Sequence, residues 1–87
     1  MNNNENLTQL RNKIDEIDIN IKNLLLNRLK LVKEIGDYKK KAMLEIEFKD
    51  REENILNNLT KNLNNIQAQY VKEIYSGIFI SSKNIQK

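Results

Sequence analysis

The side chains of this 87-residue chain that could do chemistry are cations, carboxylates, amides and hydroxyls, because it contains no cysteine and no histidine. That excludes disulfide staples, thiolate or imidazole metal sites, and Ser-His or Cys-His nucleophile pairs. Among the groups that remain, several interrupt or border apolar patterns. Arg28 takes a seam position flanked by Leu24, Leu25, Leu31 and Val32, and the adjoining edge carries Arg11 and Lys39. Glu52 is in helical register with Ile55, Leu56 and Leu59, with Arg51 beside it around the turn, and Ser82 and Gln86 share a stripe with Ile78 and Ile85. Charge facing inward is costly unless a counter-charge meets it. Each of these residues has a plain structural reading. Arg28 is then a specificity device of a coiled coil or snorkels to water, Arg11 and Lys39 are solvated flanks, Glu52 pairs with Arg28 or Arg51, and Ser82 and Gln86 belong to a fraying terminus. Taken together, inward-facing groups of mostly positive charge are explained more economically by a polyanionic small molecule held inside a helical bundle.

The elements that must position these groups are helices. There is no proline, and the two glycines, Gly36 and Gly77, lie inside periodic apolar stretches and not at turns. One heptad row runs Leu7, Ile14, Ile21, Arg28, Ile35 and Ala42, and a second runs Leu10, Ile17, Leu24, Leu31 and Tyr38. The spacing predicts a first helix over about 5–41. At ~1.5 Å per residue it is about 50 Å long, more than the rest of so short a chain can cover, so it calls for a second copy. Residues 42–49 lose the period and are expected to form a loop. Asp50 followed by Glu53 reads as an N-cap and capping box for a second helix over about 50–64. The polar stretch Asn62–Gln67 breaks the pattern, and a third helix is expected over about 67–86. The expectation is one all-α domain over 1–87, with one long and two shorter helices in an intertwined antiparallel homodimeric bundle.

Charge and hydropathy narrow the partners. The chain is 39% apolar and 31% charged with a net charge of +3, which suits a globular protein and a small anionic ligand better than a nucleic acid. No apolar run reaches the ~20 residues of a membrane span, and the start lacks the basic and apolar parts of a signal peptide, so the cytoplasm is the expected compartment and neither membrane nor nucleic acid an expected partner. Arg11 and Arg28 are separated by roughly 25 Å of helix and cannot serve one small ligand within one chain. In an antiparallel dimer the partner chain's Arg11 can approach Arg28 and Lys39, which lie about 16 Å apart along the axis and can converge on one ligand.

With these residues in hand, the sequence resembles the all-α class of chorismate mutases from about Leu7 to Gln86. The likeness rests on Leu10-Arg11-x-x-Ile14-Asp15, Leu25-x-x-Arg28, Ile35-Gly36-x-x-Lys39, Asp50-Arg51-Glu52 and Ser82-x-x-x-Gln86, in that order. The resemblance implies an intertwined dimer of three-helix chains that converts chorismate to prephenate in phenylalanine and tyrosine biosynthesis, without cofactor or metal. It implies that Arg28 and the partner chain's Arg11 clamp the two carboxylates, that Lys39 and Gln86 hydrogen-bond the ether oxygen whose bond breaks, and that Glu52 accepts from the ring hydroxyl. Arg51 and Ser82 match supporting carboxylate contacts. Phe48 stands where relatives often carry Asp, a position expected to contribute its backbone N–H. An amide at Gln86 implies a rate that needs no acidification. The rival readings are an isochorismate pyruvate-lyase of the same architecture, which places an apolar residue where this chain has Glu52, and a non-catalytic helical dimer that docks partners.

Overall fold

The computed structural model describes residues 3–44 and 49–86, and among these the chain forms three helices and no strand: α1 (Asn3–Lys41), α2 (Lys49–Leu59) and α3 (Asn65–Gln86). The all-α architecture, with its first helix the longest, is as the heptads predict. Residues 45–48 of the expected loop, Phe48 among them, lie outside the described residues.

Each helix end has a local cause. After Lys41 the chain turns through Met43 in the left-handed region (φ 58°). The Leu44 N–H donates to the Lys39 carbonyl (2.8 Å) and the Met43 N–H to the Lys40 carbonyl (3.2 Å), the paired bonds of a Schellman motif. Lys39, Lys40 and Lys41 fill this last turn, where positive charge opposes the negative end of the helix dipole. α2 carries Asp50 and Glu52 in its first turn, favourable at the opposite pole.

α2 stops at Leu59, short of the expected 64. Thr60 folds back on the helix, its N–H and Oγ both donating to the Leu56 carbonyl (2.9 and 2.7 Å), and Asn62 takes the left-handed conformation (φ 64°) that asparagine tolerates. α3 begins at Asn65, earlier than the expected 67, because two residues of the polar stretch form a capping box. The Gln67 N–H donates to Asn64 Oδ1 (2.8 Å) and the Asn64 N–H to Gln67 Oε1 (3.3 Å).

The chain divides into two compact units, Met1–Leu31 and Val32–Lys87. The described residues of the first are a single stretch of helix in which residues 4–27 are all exposed, including the seam residues Leu10, Ile14, Ile17, Ile21 and Leu24. The second contains the last turns of α1 with α2 and α3, the latter two in contact. Among its described residues the buried apolar side chains are Val32 and Phe79. Tyr75 meets Phe79 edge-on with ring centroids 5.7 Å apart, and Ile55, Leu56, Leu63, Val71 and Ile78 of the same unit are half-buried. Such a core is thin for its length of chain. No helix among the described residues is long and apolar enough to cross a membrane.

Candidate functional site

The second unit buries polar side chains as deeply as apolar ones. Gln86, on the last turn of α3, is 3% exposed, and Ser82, one turn earlier, is also buried. Both lie deeper than Ile85, which shares their stripe in sequence and remains exposed. The close approach of α1 to this end of α3 depends on Gly36. A Cβ there would stand 3.1 Å from Gln86 Cγ and 3.3 Å from Gln86 Cα, so the absence of a side chain lets the two backbones meet.

The hydrogen bonding of the two residues differs. Ser82 Oγ donates to the Ile78 carbonyl of its own helix (2.8 Å), a local bond that fixes the hydroxyl. Gln86 Nε2 makes only a long contact to the Ser82 carbonyl (3.5 Å), and its Oε1 has no hydrogen-bond partner among the described residues. A buried amide normally has its capacity met, since leaving a buried polar atom unpaired costs about 1–3 kcal/mol. Lys39, half-buried, follows Gly36 by one turn on the same face of α1. A cation and an underused amide therefore flank the point where α1 and α3 touch.

A second polar group lies between α2 and α3. Glu52 has its side chain 20% exposed, and Lys83 Nζ stands 3.0 Å from Glu52 Oε2. The ion pair is close, yet among the described residues Oε2 has no well-aligned hydrogen bond, so charge more than directed bonding holds it. The pair borders an open cleft of about 540 Å³ whose floor includes Leu56 and Phe79 and whose rim includes Lys49, Lys72 and Ser76. The plain reading of Glu52 as a partner of Arg28 or Arg51 is replaced here by Lys83. Nothing in the α3 sequence marked that lysine, because the partner is on another helix.

The remaining predicted residues are placed as follows. Arg11 is exposed and Arg28 half-buried, both on the α1 stretch of the first unit. Arg51 is exposed on α2, and Phe48 lies outside the described residues. The second unit thus buries Ser82 and Gln86 on α3, sets Gln86 against Gly36 one turn before Lys39, and pairs Glu52 with Lys83. Such a set can bind and orient an anion and offer hydrogen bonds. Among the described residues the junction holds no cysteine or histidine for nucleophilic chemistry.

The model of a family described as chorismate mutase type II matches residues 10–87. The chain is 43% identical over 75 residues, 86% of its length, to the bifunctional chorismate mutase/prephenate dehydratase of Aquifex aeolicus (strain VF5). It spans 18% of the length of that relative.

Proposed function

We propose that this chain, which belongs to the chorismate mutase type II family, catalyses the intramolecular Claisen rearrangement of chorismate to prephenate in a site completed by a second copy of itself. The reaction breaks an ether C–O bond and forms a C–C bond within one molecule. It needs no nucleophile, proton transfer, metal or cofactor, so a chain without cysteine or histidine lacks nothing required. What the protein must supply is a compact substrate conformer and positive or hydrogen-bonding groups where the ether oxygen gains negative charge.

The observation that carries the reading is Gln86: an amide almost closed to solvent, whose oxygen has no hydrogen-bond partner among the described residues and whose nitrogen is weakly engaged, set against Gly36 one turn from Lys39. Lys39 and Gln86 are assigned to the ether oxygen. Arg28 and the partner subunit's Arg11 are assigned to the two carboxylates, Arg51 and Ser82 to supporting contacts, Glu52 to the ring hydroxyl, and Phe48 to a backbone N–H contact. The bare α1 seam supports the dimer, since a helix with apolar residues exposed on its seam is stable only when another surface covers it. An antiparallel, intertwined pairing brings the partner chain's Arg11 to Arg28.

The test is direct. Protein mixed with chorismate should abolish its ultraviolet absorbance and yield prephenate, and Lys39→Ala should slow this ~10²–10³-fold, as loss of one preorganised donor does. Wild-type protein that leaves chorismate unchanged overturns the proposal. Release of pyruvate from isochorismate, with chorismate untouched, would favour the lyase. Because Gln86 is an amide, the rate should stay level across about pH 6–8.

A further inference from the structure

We propose that Lys83 is a charge-balancing and positioning residue of this site, holding Glu52 where a carboxylate can face a doubly negative substrate without repelling it. The inference rests on the mutase reading above. Glu52 poses a problem for that reading: an anionic side chain beside a dianion weakens binding unless its charge is offset locally. The structure supplies the offset from α3. Lys83 Nζ is 3.0 Å from Glu52 Oε2, and Lys83 directly follows the buried Ser82. Lys83 also lines the α2–α3 cleft together with Phe79 and Leu56, with its ammonium group at the carboxylate.

The alternative is a simple staple between α2 and α3. The two roles separate kinetically. A staple affects stability alone, whereas a charge-balancing group affects the binding of an anion more than the chemical step. Lys83 is 43% exposed in its side chain, so solvent screens it in part and the effect is moderate.

Steady-state kinetics on chorismate should show KM raised about tenfold in Lys83→Met with kcat within about threefold of wild type, and both restored in Lys83→Arg. Glu52→Gln should lower kcat. The double variant Lys83→Met/Glu52→Gln carries the wild-type net charge, so its KM should return to within about threefold of wild type while kcat stays at the Glu52→Gln level. An active wild type with an unchanged KM in Lys83→Met overturns this inference alone, as does Lys83→Arg no better than Lys83→Met, or a lowered melting temperature with unaltered kinetics. A wild type inactive on chorismate overturns it together with the function on which it rests.

Discussion

Through the first unit, α1 exposes apolar side chains along a helical seam, while the second unit buries polar ones as well as a thin apolar core. Unmet surface is of a different kind in each. Exposed leucine and isoleucine are satisfied by any well-shaped apolar surface, and a second protein chain is the natural source of so long a stripe. A buried, underused amide such as Gln86 is satisfied only by a group that hydrogen-bonds at that point, which a small polar molecule can bring and a packing surface cannot. On the proposed function the α1 seam serves association and the polar residues of the second unit serve recognition, and either half can be broken.

The largest effect is expected at the seam. Leu24 is 67% exposed and lies in the row of Leu10, Ile17 and Leu31. Leu24→Glu keeps a good helix former in place and puts a charge where the second copy should pack. The expected outcome is a shift to monomer on sizing and a fall in chorismate turnover of more than about 100-fold, because the proposed site takes Arg11 from the second copy and would lose it together with the interface. A Leu24→Glu protein that remains dimeric and active would remove the seam from the association surface. Mixing inactive Arg11→Ala and Arg28→Ala proteins sharpens the same point. After subunit exchange one of the two sites in a mixed dimer is intact, and activity should return to a fraction of wild type.

A smaller effect is expected where the second unit positions its amide. In Gly36→Ala the new methyl would stand 3.1 Å from Gln86 Cγ, so the glutamine side chain or the end of α3 must yield by a few tenths of an ångström. The gain in helix propensity, about 1 kcal/mol, offsets much of the crowding, so the melting temperature should move little. Turnover should fall about tenfold, because displacement of a catalytic group costs rate even where the fold survives. Unchanged kinetics in Gly36→Ala would mean that the position of Gln86 is not critical to the chemistry.

What sequence reading reaches in this chain is what local pattern determines. The long first helix was legible because its heptads repeat without interruption and no proline or turn residue opposes them. Ser82 and Gln86 were legible as inward-facing polar groups from their offsets to Ile78. The end of α2 was not, because Leu63 extends the apolar spacing of Leu59 while the stop is made by local hydrogen bonds and backbone conformation, through Thr60 and the left-handed Asn62. The start of α3 was hidden for the opposite reason: Asn64 and Gln67 look like a break in hydrophobicity and are in fact its cap. The pairing of Glu52 with Lys83 belongs to the packing of α2 on α3, which no spacing within either helix encodes.

The two glycines give the finest version of the contrast. Gly77 lies within α3 at a negative φ, and a Cβ placed on it meets nothing within 4 Å, the reverse of Gly36. On the lone chain, Gly77→Ala adds helix propensity at no steric cost and should stabilise the protein by about 0.5–1 kcal/mol. For a domain of this size that raises the melting temperature by roughly 4–8 °C per kcal/mol, read at fixed protein concentration because association also shifts it. Turnover should be unaffected, since Gly77 belongs to neither polar junction. If Gly77→Ala lowers the melting temperature instead, the open space beside α3 is filled by the backbone of the second copy. The association surface then extends from the α1 seam onto the helix that carries Gln86, and the division between an associating region and a recognising one gives way at that point.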